Sequence, residues 1–281
     1  MYEAVLNLLQ FYARHGRPLT MLEIWNRLLP RERPETVRTL LEILEILVKN
    51  KRIASEDGFF TVLPYCPKSM ERRRQDALFD SKWRKLQSLG KWFQYIPFIE
   101  FVCGSGSMAL GDTKKESDFD LLLGVTKGRM FLTRYLALFL FSLLRARRTN
   151  DIEGSGPDKL CFNHFVTEKY FSKPPFNAYR ARLYRMLVPI YGATKTITQF
   201  IHANSWSGIT NLSLEDRRFE IQKSNIIRST LEIILGGRFG DFIENSFCKP
   251  IAMKRLSRYA KRRIGGPPQR VIISSEELEF H

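Results

Sequence analysis

Two apolar segments on either side of a glycine-rich turn constrain the fold of this chain more than any other feature of its sequence. The segments FIEFVCG and DFDLLLGV have the length and the continuous apolar character of buried strands. A Gly-Ser pair and a polar run lie between them. Helical and strand patterns then alternate as far as the segment KLCFNHFVT, so we expect an α+β fold built on a small mixed sheet with helices.

Residues 1–64 have the pattern of a separate unit. Three amphipathic helices are predicted in succession, and Thr20 with Glu23 forms the capping box that opens the second. Two short alternating segments around Asp57-Gly58 then predict a β-hairpin. Three helices followed by a hairpin is the order of a winged helix-turn-helix. Because the third helix carries more glutamate than basic side chains outside its apolar positions, packing or partner binding is favoured over the reading of DNA bases.

The rest of the chain divides at prolines and at a change of pattern. We predict an α+β core over residues 65–173, and a mostly helical region with a basic segment over residues 174–281. Helical patterns extend from about Tyr179 to Ile264, and a last short strand is expected in QRVIISS. The prediction is therefore of three domains.

The net charge of +16 predicts affinity for polyanions, which include nucleic acid, nucleotides and anionic lipid. Eight basic residues and no acid occur from Lys249 to Arg270. On a helix, Arg255, Arg258 and Arg262 would share one face, and they are the candidate contacts with a nucleic-acid backbone. The alternative interpretation of this segment is a solvated basic face.

The four cysteines are far apart and show no metal-ligand spacing, which is typical of free thiols in a reducing compartment. The sequence begins with an amphipathic pattern rather than a signal peptide. Its most apolar stretch, residues 130–144, contains Arg134 and is shorter than the roughly 20 residues that span a bilayer. We therefore expect a cytoplasmic protein with no membrane among its partners.

Two acids stand one residue apart where the second apolar segment begins. In a strand the side chains of Asp118 and Asp120 point to the same face, where their charges repel unless a cation lies between them. Mg²⁺ binds such carboxylates together with substrate phosphates, and two ions about 4 Å apart can hold both oxygens of a phosphoryl or nucleotidyl transfer. Gly106 and Ser107 allow backbone and hydroxyl groups to approach a phosphate.

This pattern, G-S-x-A-x-G-x5-S-D-x-D-L, resembles that of the nucleotidyltransferase superfamily, which includes DNA polymerase beta, CCA-adding enzymes and minimal nucleotidyltransferases. The resemblance covers residues 69–170, and a weaker one extends over the whole chain to predicted bacterial nucleotidyltransferases with an N-terminal winged helix. The matching residues are Gly106, Ser107, Ala109, Gly111, Ser117, Asp118, Asp120 and Leu121.

The resemblance implies a role for each matched group. Gly106, Ser107 and Ser117 would contact the nucleotide, while Asp118 and Asp120 would be catalytic and would hold Mg²⁺, in a two-metal site, with Mn²⁺ as the alternative ion. Active members also use a third carboxylate from a later strand, yet the interior of KLCFNHFVT contains none. The flanking acids are Asp158, which we favour as the catalytic one, and Glu168; alternatively, both are solvated acids at the ends of the strand.

The resemblance implies a Mg²⁺-dependent nucleotidyltransferase that moves a nucleoside monophosphate from an NTP to an acceptor hydroxyl of RNA or protein. RNA is favoured over DNA as the nucleic-acid partner. Two alternatives stay open. One is a catalytically degenerate nucleotidyltransferase fold that regulates by binding nucleic acid, and the other is a toxin–antitoxin type of interaction partner.

Overall fold

The computed structural model describes residues 1–148, 157–172, 178–208, 219–223, 225–262, 271–274 and 277–280. The chain forms two compact units. The first contains Met1–Ser81 together with Gly111–Lys114, and the second contains Lys82–Leu110 together with Lys115–His281. The division between them lies within one long helix, Ser69–Gly90.

The first unit contains three helices and a small antiparallel sheet in the order β1-β3-β2. The capping box of Thr20 and Glu23 opens the second helix as predicted, and the two strands around Asp57-Gly58 pair as a hairpin. The elements are α1 (Tyr2–Arg14), β1 (Leu19–Thr20), α2 (Met21–Arg27), α3 (Val37–Lys49), β2 (Ile53–Glu56) and β3 (Phe59–Val62).

The core of the first unit comes from the apolar positions that repeat along these helices. Leu9 of α1, Ile24 of α2 and Leu44 of α3 are buried in one cluster. Burial of such a stripe, rather than helix propensity, is what stabilises helices of this length. The order of helices and hairpin in the described chain is the one that the sequence predicted.

The second unit is built on a seven-stranded mixed sheet in the order β8-β7-β4-β5-β6-β10-β9. Strand β5 is antiparallel to β4 and parallel to β6. The elements are α4 (Ser69–Gly90, its first part in the first unit), β4 (Ile99–Gly104), α5 (Gly106–Leu110), β5 (Phe119–Val125), α6 (Met130–Leu143), β6 (Leu160–Val166), α7 (Ala178–Arg185), β7 (Val188–Gly192), α8 (Thr194–Ala203), β8 (Glu220–Ile221), α9 (Ile226–Gly236), α10 (Arg238–Ile243), α11 (Lys249–Arg262), β9 (Val271–Ile273) and β10 (Glu277–Phe280).

The α+β class and the mixed sheet agree with the prediction, while the C-terminal part differs from it. The region predicted as mostly helical contains β7, which pairs with β4 near the middle of the sheet. Two strands rather than one follow α11 in the described residues, and β10 pairs with β6. The helices of this region are therefore accompanied by four short strands, β7 to β10, which belong to the sheet of the core. No helix in the described part of the chain combines the length and apolar character that a bilayer crossing requires.

Candidate functional site

The Gly-Ser turn follows directly from β4, at the start of the short helix α5. Gly106 adopts a positive φ of 56°. A Cβ atom at this position would overlap the carboxylate of Asp120, so glycine is needed for both its backbone conformation and its small size. The close approach of Gly106 to Asp120 joins the two halves of the sequence motif. The backbone amide of Ser105 also donates to the carbonyl of Asp120, at 2.9 Å.

Asp118 immediately precedes β5, and Asp120 is the second residue of the strand. The apolar residues that follow, Leu121 to Leu123, are fully buried, while Asp118 and Asp120 are half-buried. This difference arises because the strand enters the core immediately after the second acid. The acid pair therefore stands at the edge of a rigid element, as the sequence indicated.

Cys161 completes a group of three candidate ligands. It lies on β6 in register with Asp120. One carboxylate oxygen of Asp118, one of Asp120 and the Sγ atom of Cys161 all lie within 4.8 Å of one another. Burial raises the pKa of the Cys161 thiol far above its usual range, and the charges of Asp120 and Asp118 raise it further. The thiol is therefore neutral near pH 7.

From the sequence alone, Cys161 was expected to be an ordinary free thiol and was not among the predicted site residues. A usable signal was present, since the strand alternation of KLCFNHFVT puts Cys161 and Asn163 on one face and Phe162 and His164 on the other. Choosing between these faces requires the register with β5, which the sequence does not contain. The side chain of Asn163 lies outside the described residues.

Arg148 contacts the acid pair directly. Its guanidinium Nη1 lies 2.5 Å from Asp118 Oδ2 and 4.0 Å from Cys161 Sγ. Its backbone amide donates to the carbonyl of Leu160 at 3.1 Å, which holds this part of the chain beside β6. Burial opposes the charge of the guanidinium, but Asp118 outweighs this effect and raises the pKa of Arg148. A fixed cation therefore neutralises part of the charge of the acid pair.

Asp158, the favoured third carboxylate, is held elsewhere. Its two oxygens pair with Lys82 Nζ at 2.9 Å and Lys85 Nζ at 2.6 Å. Burial would raise the pKa of Asp158, but hydrogen bonds from Lys85 and Lys82 lower it below its usual value. Among the described residues, neither Asp158 nor the exposed Glu168 belongs to the candidate ligand group.

The other predicted residues contribute in different ways. Ser107 is the second residue of α5, and the backbone carbonyl of Ser117 accepts a hydrogen bond of 2.6 Å from Lys82 Nζ. In the basic segment, Arg255 is exposed on α11. The side chains of Arg258 and Arg262 lie outside the described residues.

The donor set can be tested against the Mg²⁺ that the resemblance implies. The carboxylates of Asp118 and Asp120 suit one hard divalent cation. The thiol of Cys161 does not, because thiolates favour softer ions such as Zn²⁺. The described residues therefore fit one Mg²⁺ on the two aspartates, and they do not supply the third carboxylate of a two-metal site.

Comparison with known proteins adds no relative. No family model, no curated protein and no solved structure matches this chain. Any statement about function therefore depends on the residues and their geometry.

Proposed function

We propose that the chain is a Mg²⁺-dependent nucleotidyltransferase, which transfers a nucleoside monophosphate from an NTP to an acceptor hydroxyl and releases pyrophosphate. The observation that supports this most is the close packing of Gly106 against Asp120, which brings the Gly-Ser turn to the acid pair. In the same proposal, the mixed sheet of the second unit is a nucleotidyltransferase core and the first unit is a winged helix-turn-helix.

Each residue has a proposed task. Asp118 and Asp120 would hold Mg²⁺, or Mn²⁺ as the alternative, and Gly106, Ser107 and Ser117 would bind the triphosphate. The bound cation supplies Lewis-acid stabilisation of charge on the phosphate oxygens. Because Arg148 is paired with Asp118, its guanidinium is in position to move onto a phosphate when a cation takes the carboxylate. RNA is the preferred nucleic-acid acceptor, and a protein hydroxyl is the other acceptor class.

The acceptor hydroxyl must lose a proton during the transfer. In the described part of the chain, the acid pair has Cys161 rather than a third carboxylate beside it. The sequence also contains Asp151 and Glu153, which lie in the segment 149–156 outside the described residues. Among the described residues, no third carboxylate at the acid pair supplies the acceptor base.

The neutral thiol of Cys161 and the ion pair of Arg148 favour a second candidate function. In this reading the chain is a catalytically degenerate nucleotidyltransferase fold that binds a nucleotide or nucleic acid and regulates through that binding. The charge of +16 supports a polyanionic ligand in either reading. The two candidates differ in turnover, not in the use of Asp118 and Asp120.

The test is to measure binding and turnover of the four NTPs by the full-length chain with Mg²⁺, using calorimetry and release of pyrophosphate in the presence of RNA. The double variant Asp118→Asn/Asp120→Asn should lose at least about a hundredfold in either quantity, because the metal ligands are removed. Glu116→Gln, at an exposed acid two residues before the pair, is the matched control and should behave as wild type. Full activity in the double variant, or no binding of any NTP by the wild type, would contradict the proposal.

A second substitution separates the two candidates. If the wild type binds nucleotide without turnover, and Cys161→Asp creates turnover, the chain is the degenerate binder. If the wild type turns over and Cys161→Asp is no faster, the transferase has its acceptor base elsewhere. Cys66→Asp, at an exposed cysteine, is the matched control for the added charge and should change neither result.

A further inference from the structure

Helices α9 and α10 and Glu244, which follows them, contact the rest of the second unit through polar side chains. Arg228 of α9 is buried, and it donates to Tyr191 Oη and to the carbonyl of Ile99, each at 2.8 Å. Glu232, one turn later, pairs with Arg228 at 2.7 Å and accepts from the backbone amide of Phe98 at 2.9 Å. The face of α9 that meets the sheet is therefore largely charged.

The next contacts follow the same principle. Arg129, at the start of α6, donates to the carbonyl groups of Leu235 and Gly236 at 2.9 and 2.7 Å and pairs with Asp241 at 2.5 Å. The buried carboxylate of Glu244 accepts from the first amides of α6, those of Phe131 at 3.0 Å and of Leu132 at 2.6 Å. Glu232, Asp241 and Glu244 are the acids from 225 to 262, and each of them is used in this attachment.

Many large apolar side chains of these helices are exposed. On α9, Ile226 and Ile233 are 85% and 81% exposed, and their spacing of seven places them on one face. That face lies opposite the one that carries Arg228 and Leu235, which are buried. We name the exposed set the C-terminal apolar patch. It consists of Ile226, Ile227, Ile233, Ile234, Phe239, Phe242, Phe247 and Ile251.

A set of this kind is unusual on a surface that meets only water. Eight isoleucine and phenylalanine side chains within 26 residues exceed the scattered exposed apolar residues of an ordinary surface. The rings of Phe242 and Phe247 lie edge to face with centroids 5.5 Å apart, so part of the patch is packed within itself. The arrangement is typical of a surface that binds an apolar partner, either a protein or a lipid bilayer.

The basic residues around the patch favour an anionic lipid bilayer as that partner. Arg238, Lys254 and Arg255 are exposed on the same helices, and no acid occurs in the sequence from Lys249 to Arg270. An apolar face with basic side chains beside it is the composition of segments that lie in the interface of an anionic bilayer. A second copy of a chain with a net charge of +16 would be repelled, and isoleucine cannot stack on nucleic-acid bases as an aromatic ring does.

We propose that the C-terminal apolar patch docks the protein on an anionic lipid surface, with the isoleucine and phenylalanine side chains in the interface and the basic residues on the headgroups. This departs from the expectation of no membrane among the partners, which was based on the lack of a membrane-spanning stretch, and it agrees with anionic lipid as one of the polyanions that the charge of +16 favours. The site of nucleotide binding is not involved, so this proposal is independent of the proposed function.

The test is co-sedimentation of the full-length chain with vesicles of phosphatidylcholine alone, and of phosphatidylcholine containing phosphatidylglycerol. At about 0.1 M salt we expect binding to the anionic vesicles that is at least about tenfold stronger than to the neutral ones. The variant Ile226→Ser/Ile233→Ser/Phe239→Ser should lower the partition by about tenfold or more, since it removes apolar insertion. Leu22→Ser/Met70→Ser, at exposed apolar residues of the first unit, is the matched control and should bind as wild type.

Several results would overturn the proposal. One is the absence of binding to anionic vesicles; another is equal binding by the patch variant, which would leave charge alone as the cause. A homodimer in sedimentation equilibrium that the patch variant dissociates would identify a second copy as the occupant. Loss of RNA binding in the patch variant would identify nucleic acid.

A second variant covers the case in which the triple substitution fails to fold, which circular dichroism would show. Phe239→Trp keeps the exposed side chain aromatic and adds a fluorophore to the patch. Its emission, after subtraction of the wild-type spectrum, should shift to the blue with anionic vesicles and not with neutral ones. An unchanged emission with vesicles to which the protein binds would contradict insertion of the patch.

Discussion

The start of the central strand β5 and the segment from α9 to α11 use side chains in opposite ways. At the start of β5, apolar residues enter the core and the acids Asp118 and Asp120 remain half-buried at its boundary. In the segment from α9 to α11, the charged residues Arg228 and Glu244 are buried, and several isoleucines are exposed. Whether a side chain is buried in these two regions therefore depends on the partners it finds as well as on its polarity. A charged group can be buried when it is paired or hydrogen-bonded, as Arg228 and Glu244 are.

The strongest way to break the polar attachment of the helices is Arg228→Ala. The substitution leaves Tyr191, the carbonyl of Ile99 and Glu232 without their shared buried partner. We expect the free energy of unfolding to fall by about 2–4 kcal/mol, because the buried hydroxyl of Tyr191 and the carbonyl of Ile99 lose their hydrogen bonds, while Glu232 is one third exposed and keeps the amide of Phe98. Urea denaturation followed by circular dichroism measures this loss.

The matched control for that substitution is Arg38→Ala, which removes an arginine from an exposed pair with Glu42 on α3. Its effect should stay within about 0.5 kcal/mol, because exposed pairs contribute little. Equal losses from the two substitutions would show that the buried arginine does not hold the helices.

Gly106→Ala tests the close packing between the Gly-Ser turn and Asp120 at the start of β5. The added methyl group would meet Asp120 in a backbone conformation that alanine rarely adopts. We expect a loss of roughly 2–4 kcal/mol in the free energy of unfolding, from backbone strain and overpacking together. Nucleotide binding should weaken as well, because Asp120 must move; calorimetry and urea denaturation measure the two effects.

Gly128 provides the comparison within the same unit. It also has a positive φ, of 75°, but no atom lies within 4 Å of an added Cβ. Gly128→Ala should therefore cost only the strain, about 1–2 kcal/mol, and leave nucleotide binding unchanged. If the two alanine variants behave alike, the contact between Gly106 and Asp120 has no consequence.

The smallest expected effect concerns Asp158, the carboxylate bound to Lys82 and Lys85. Asp158→Asn should lower the free energy of unfolding at pH 7 by about 1–2 kcal/mol. The folded chain lowers the pKa of Asp158, so its contribution is fully present above the ordinary carboxyl pKa of about 4 and is lost as the pH falls through the lower folded value. The difference between wild type and variant should thus be constant from pH 8 to about 5 and shrink in more acidic solution.

The control for this experiment is Asp80→Asn, at an exposed acid of α4, which should leave stability unchanged. A difference that grew toward acidic pH would have the wrong sign for a lowered pKa. Loss of turnover by a stable Asp158→Asn variant would instead support the role of Asp158 as the third carboxylate.

Much of the fold could be predicted from local patterns. The helices and hairpin of the first unit, the strands on either side of the Gly-Ser turn and the apolar helix α6 all follow from periodicity and capping. Strand β7 could not, because Val188–Gly192 is short and lies between helical patterns. Its pairing with β4, across almost ninety residues of sequence, is what makes it a strand.

The candidate site divides in the same way. The sequence alone determined that Asp118 and Asp120 share a face, because the period of a strand is two, and that a glycine precedes them where a close approach is needed. Only the tertiary structure decided that Cys161 faces Asp120, that Arg148 pairs with Asp118 and that Asp158 is held by two lysines. Spacing within one strand is fixed by covalent geometry, whereas neighbours on different strands depend on register, which long-range packing selects.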